Sequence, residues 1–118
     1  MTAVFLTEDN APLRDLLCEA LQDEGHQVFV LPDLESVAEL ASTLRHGLAI
    51  VDGCGNSFVE LHAVDRSRIS ALAANVPTIL ITGRAWADDI DGDDLGLAAL
   101  MKKPLELDRL LELVDTLQ

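Results

Sequence analysis

Residues 48–57 read Leu48-Ala-Ile-Val-Asp-Gly-Cys-Gly-Asn-Ser57: four apolar residues, a carboxylate at Asp52, then a glycine-rich polar stretch. A short continuous apolar run bounded by turn residues has the form of a strand buried on both faces. Gly53 to Ser57 is then a loop. The same grammar recurs on either side. Ala3-Val-Phe-Leu-Thr7 stops at Glu8-Asp9-Asn10, Val28 to Leu31 stops at Pro32-Asp33, and Pro77-Thr-Ile-Leu-Ile81 stops at Thr82-Gly83. Ala98 to Met101 makes a short fifth strand before Lys102-Lys103-Pro104.

Helical periods fill the gaps. Pro12 suits the first helical position. Leu13, Leu16, Leu17, Ala20 and Leu21 then recur at helical spacing, and Gly25 closes the segment. Asp33 caps a second helix carried by Leu34, Val37, Ala38, Ala41 and Leu44, ended by Gly47. A looser third pattern runs from about Phe58 to Ala74 through Leu61, Val64, Ile69 and Leu72. A final one is set by Leu107, Leu110, Leu111, Val114 and Leu117. Between Thr82 and Lys103 a further helix is expected. However, Gly92, Gly96 and the five aspartates at 88–94 are poor helix formers, so that fourth helix is predicted to be short or irregular. Five βα units imply an α/β fold with a parallel sheet and helices on both faces. A chain of 118 residues supports one core, hence one domain over residues 1–118.

Charge narrows the function. There are 21 Asp+Glu against 8 Lys+Arg, a formal net charge of −13. Phosphate backbones and anionic membrane surfaces are bound mainly through Lys and Arg, so neither nucleic acid nor a membrane is an expected partner. No run approaches the ~18 apolar residues of a membrane span. The N-terminus lacks the basic stretch of a secretory signal. Two cysteines, Cys18 and Cys54, make neither a disulfide framework nor a CxxC site, and a reducing cytoplasm is the expected compartment. His26, His46 and His62 lack ligand spacing and are expected at the surface.

In parallel α/β sheets ligands bind beyond the carboxyl ends of the strands. There the sequence places Glu8, Asp9, Asp52, Thr82 and Lys103. Two like charges about 4 Å apart repel by about 4 kcal/mol at an effective dielectric near 20. A hard divalent cation relieves that repulsion, and an oxygen-only donor set suits Mg²⁺. A carboxylate so placed can attack phosphorus, while an ammonium and a hydroxyl stabilise the transferring group.

Taken in order, Leu6-Thr-Glu8-Asp9-Asn10, Ala49-Ile-Val-Asp52, Ile79-Leu-Ile-Thr82-Gly83 and Lys103-Pro104 resemble the receiver (CheY-like) domain of two-component response regulators, over the whole chain. The resemblance implies a flavodoxin-like (βα)5 three-layer sandwich of strand order 2-1-3-4-5. It also implies roles. Asp52 is the phosphoacceptor; Asp9 is a direct Mg²⁺ ligand, with Glu8 acting largely through water and the backbone carbonyl of Cys54 as another ligand. Thr82 and Lys103 contact the phosphoryl group, and Pro104 sets the turn after the lysine. The donor is a histidine kinase or phosphotransfer protein, the target another protein, and the domain a signalling module of a bacterial phosphorelay rather than an enzyme. Because the chain ends near the last helix, a single-domain receiver is expected.

Three places depart from the family pattern. Gly53-Cys-Gly-Asn-Ser-Phe58 lacks the usual Met-Pro pair. Leu100 stands where a Tyr or Phe usually reports phosphorylation. The 88–94 segment alters the usual partner face. Leu100 and the 53–58 loop favour a second reading, a pseudo-receiver that binds partners without phosphorylation, while the intact set of Glu8, Asp9, Asp52, Thr82 and Lys103 disfavours it. A third, a small Mg²⁺-dependent phosphatase built on Asp89-Ile-Asp91-Gly92, needs a buried strand immediately before it and finds Arg84-Ala-Trp-Ala87 instead. An EF-hand loop at Gly92 fails because Ala87 and Ala98 stand where acids are required.

Overall fold

The computed structural model describes residues 3–8, 10–44, 46–52, 63–82, 96–102 and 106–117. Five strands, β1 (Ala3–Thr7), β2 (Gln27–Val30), β3 (Leu48–Asp52), β4 (Thr78–Thr82) and β5 (Ala99–Lys102), form one sheet of order β2-β1-β3-β4-β5. Every pairing is parallel. The helices among the described residues are α1 (Ala11–Asp23), α2 (Leu34–Leu44), α3 (Ala63–Asn75) and the last one, α4 (Leu107–Leu117). The segment expected to hold a short or irregular helix, 84–96, lies outside the described residues apart from Gly96.

Successive side chains of a strand point to opposite faces, and here both faces are covered. Phe5, Ala49, Val51 and Leu80 join Val37 and Ala41 of α2 and Ile69 and Leu72 of α3 in one core. Val4, Leu6, Ile50, Ile79 and Ile81 join Leu17 and Leu21 of α1 and Leu110 and Val114 of α4 in the other. That arrangement is the three-layer sandwich, and it explains why the strands are apolar throughout rather than alternating.

Local chemistry sets the helix starts. Asn10 caps α1, its Oδ1 accepting from the Leu13 amide at 3.0 Å. Helix α1 therefore begins at Ala11, and Pro12 is its second residue rather than its first. Asp33 caps α2 as expected, accepting from the Ser36 amide at 2.8 Å. Bonds from Ser36, with a smaller contribution from the charge of Arg68, hold the Asp33 carboxyl below its ordinary value.

The remaining differences are small. β2 lies one residue earlier than expected because Gln27 pairs with Ala3. β5 lies one residue later because Lys102 pairs with Thr82. Leu16, counted in the apolar stripe of α1, is 50% exposed; Leu17 and Leu21 carry that face into the core. His46 is exposed as expected, but His26 is buried. His62 and the first five residues expected in the third helix lie outside the described residues.

Gly47 is required where α2 turns into β3. Its φ is +116°, and a Cβ there would lie 2.6 Å from the Ala3 carbonyl oxygen of β1. Gly25 also has positive φ, +89°, but faces open space. Gly47→Ala is therefore expected to lower unfolding free energy by about 2–3 kcal/mol, and Gly25→Ala by only about 1 kcal/mol, as read from urea denaturation. Equal losses would show that the contact with Ala3 does not matter. For Asp33, a depressed carboxyl stabilises the fold above its unfolded value and loses that contribution as pH falls through its folded value. The gap in urea midpoint between wild type and Asp33→Ala should accordingly be full at neutral pH and close below pH 3.8.

Candidate functional site

Because all strands are parallel, their carboxyl ends share one edge of the sheet. Register aligns those ends. Thr7 of β1 pairs with Val51 of β3, so the next residues, Glu8 and Asp52, stand level at the rim. Adjacent strands lie about 4.8 Å apart. Asp52 pairs with Ile81 of β4, and Thr82, one residue on, pairs with Lys102 of β5. Lys103 is next in the chain. Four adjacent strands thus bring the backbones of Glu8, Asp52, Thr82 and Lys102 to one edge.

Glu8 is the rim residue whose side chain is described in most detail. It is only 4% exposed, and a buried carboxylate needs polar compensation. Its Oε1 accepts from the Asn10 amide at 2.9 Å. Asn10 in turn accepts from Leu13 as the cap of α1. The turn after β1 therefore ties the Glu8 carboxylate to the N-terminus of a helix, an electropositive end that favours a negative group. Asn10 received no role in the sequence reading; an Asn directly before a helical period was the signal that assigns it one.

Of the other expected site residues, Asp52 and Thr82 are placed by their backbones as the last residues of β3 and β4. Asp9, Cys54, Lys103 and Pro104 lie outside the described residues. Leu100 pairs with Leu80 in β5 and packs, half-buried, against the core formed by α2 and α3. No helix among the described residues is long and apolar enough to cross a membrane.

Comparison with known proteins gives a consistent result. The two-component response regulator PhoP of Pseudomonas aeruginosa is 31% identical over 110 residues, which are 91% of this chain and 47% of that protein. The chain spans about half the length of the relatives it matches. The Francisella response regulator 1452 receiver domain superposes with a TM-score of 0.78 at 18% identity, covering 99% of this chain and 96% of that one. Response regulator TrrA from Thermotoga maritima, solved in complex with Mg²⁺-BeF, superposes with a TM-score of 0.73 at 21% identity and covers 100% of both chains. No family model matches the sequence. The strand order, the whole-chain likeness to receiver structures and the sequence similarity to PhoP regulators agree: the chain is a CheY-like receiver domain of the response-regulator type.

Proposed function

We propose that this receiver accepts a phosphoryl group on Asp52 from a histidine kinase or phosphotransfer protein and relays the signal through contacts with another protein. The observation that supports it most is the register that sets Glu8, Asp52 and Thr82 along the ends of three adjacent parallel strands. Asp52 is the nucleophile. One of its carboxylate oxygens forms the new bond to phosphorus as the bond to the donor nitrogen breaks, and the donor histidine leaves with its electron pair. Thr82 donates its hydroxyl to the phosphoryl oxygens. Lys103, following the β5 residue that pairs with Thr82, supplies positive charge to the same oxygens. Pro104 sets the turn behind it.

The rim carboxylates fit a hard divalent ion, since Glu8 is held at the edge level with Asp52 and the donors are all oxygens. Glu8, Asp9, Asp52 and the Cys54 carbonyl would hold Mg²⁺, as the Mg²⁺ complex of the TrrA neighbour also suggests. Bound there, the ion would offset the charge of the carboxylates and of the incoming phosphoryl group. The domain is read as a cytoplasmic signalling module rather than an enzyme acting on a separate substrate. Its net charge of −13 favours protein over nucleic acid as its own direct partner. Leu100, half-buried against the core where an aromatic is usual, favours a second reading in which partner binding does not depend on phosphorylation.

Incubation with Mg²⁺ and acetyl phosphate, followed by intact mass, separates the two. A gain of one phosphoryl group, abolished by Asp52→Asn and slowed about 10²-fold by Lys103→Ala, is the expected outcome. An unchanged mass together with absent Mg²⁺ binding would leave the pseudo-receiver reading standing. Trp86 is the only tryptophan and follows Thr82 by four residues. Its fluorescence is expected to change on titration with Mg²⁺ or beryllofluoride, and a flat response in both would count against a responsive site at this rim.

A further inference from the structure

Glu8, Asp9 and Asn10 are all that connects β1, which ends at Thr7, to α1, which begins at Ala11. Asn10 is exposed, yet its amide, its side-chain oxygen and its carbonyl are all engaged. The amide donates to Glu8 Oε1 at 2.9 Å. Oδ1 accepts from the Leu13 amide at 3.0 Å, and the carbonyl accepts from the Arg14 amide at 2.8 Å. Asn10 itself is extended, with φ −83° and ψ 105°. It stands where the backbone changes from extended to helical.

Two of those bonds run to α1 and one runs to the Glu8 carboxylate. The helix is fixed against the strand, because Leu17 and Leu21 share a core with Val4 and Leu6. The cap therefore holds Asn10 against the first turn of α1 and limits how far its N–H can swing. A backbone N–H on a carboxylate is a charge-assisted bond, stronger than a neutral one. Glu8 is 4% exposed, so that bond acts where water screens it little. We propose that Asn10 is a positioning residue for the rim cation: its side-chain cap holds the Asn10 amide in place, and that amide holds the Glu8 carboxylate where Mg²⁺ binding needs it. The proposal rests on the reading of Glu8, Asp9 and Asp52 as a Mg²⁺ site.

Helix stability and cation positioning ask different things of this position. For stability, glycine is nearly as good a cap residue as asparagine, and alanine is much worse. For positioning, neither glycine nor alanine has a side-chain oxygen to bind the Leu13 amide, and glycine also frees φ. Serine keeps such an oxygen. A purely structural role would therefore rank Asn10→Ser and Asn10→Gly near the wild type, with Asn10→Ala below them. A positioning role sets Asn10→Ser with the wild type and puts Asn10→Gly down with Asn10→Ala. None of the three substitutions changes the charge at the rim, so a difference in cation affinity reports geometry rather than net charge.

The test is a Mg²⁺ titration of the full chain without a phosphodonor, followed by NMR shifts, beside urea denaturation of the metal-free protein. Asn10→Gly and Asn10→Ala are expected to weaken Mg²⁺ binding about three- to tenfold, below the roughly 10- to 100-fold of a partner bonded directly to a metal ligand. Asn10→Ser should bind as the wild type does. Gly25→Ala, a strained substitution just past the other end of α1, should leave the affinity unchanged. The proposal is overturned if Asn10→Gly binds Mg²⁺ as tightly as the wild type, if Asn10→Ser binds as weakly as Asn10→Gly, or if Gly25→Ala weakens binding by the same factor. Each of those outcomes leaves the Mg²⁺ reading intact. A wild type without Mg²⁺ affinity would sink that reading and the proposal with it.

Discussion

Everything at the rim depends on one constraint: five strands running the same way with both faces covered. A parallel sheet of this kind is covered on both faces, so its inner strands must be apolar along nearly their whole length, while the edge strand β2 leaves Gln27 and Val30 exposed. Polar groups are then admitted mainly at the strand ends. Because the strands are parallel, they stop on a common edge, and residues that are scattered through the sequence at Glu8, Asp52 and Thr82 come to one edge. The pairing register makes this concrete, since Thr7 opposite Val51 and Asp52 opposite Ile81 leave Glu8, Asp52 and Thr82 within about one residue of the same level. A slip of a single residue in β3 would bury Asp52 or lift it away from Glu8, and would also turn Ile50 and Val51 into the wrong cores.

Much of this was legible in the residues themselves. Continuous apolar runs identified the strands because they are short and bounded by turn residues, which separates them from buried helix where period does not, and the polar residue ending each run located the rim. What the sequence could not show was partnership across space. The ends of β2 and β5 shifted by one residue because Gln27 and Lys102 found backbone partners in Ala3 and Thr82, and hydrogen bonding along a sheet edge does not consult hydropathy. Leu16 looked like a core residue by spacing, but the stripe that packs on the sheet is narrower than the run of leucines and is carried by Leu17 and Leu21. His26 was expected at the surface because the three histidines lack ligand spacing. Its burial follows from the α1–β2 corner closing beneath α4, a tertiary event with no local signature. Within the site, the residue types and the strand ends were readable, and the support for Glu8 was not: it rests on the cap of α1, where Asn10 both donates to the carboxylate and accepts from the helix.

The acidic balance acquires a structural meaning from the same arrangement. A surplus of thirteen negative charges on a small domain raises repulsion everywhere, yet one of the carboxylates is nearly fully buried at the rim. Glu8 tolerates that position because a backbone amide and a helix N-terminus face it. The proposed Mg²⁺ site would add a stronger compensation to a carboxylate that the fold has already placed. On this view the rim is not a surface that happens to be acidic. It is a buried negative charge held in place by the turn that starts α1, beside Asp52, which ends the central strand.

Leu100 bears on how a change at that rim would travel. A conformational message requires a group whose contacts differ between two states. An aromatic with a hydroxyl offers such a difference, because its polar end gains hydrogen bonds in one orientation and loses them in the other. Leu100 has no polar end, and it is packed beside Leu80 against a core that reaches α2 and α3. Moving it outward would strip apolar contacts and return nothing at the rim, so its two orientations are far from balanced. If phosphorylation of Asp52 alters the surface, the energy difference must therefore be carried by groups that do change partners. Thr82, the last residue of β4, and Lys103, the residue that follows β5 in the sequence, are such groups by their chemistry, and β4 and β5 are joined by the pairing of Thr82 with Lys102. The coupling then passes through the strand ends themselves rather than through a rotor beneath them.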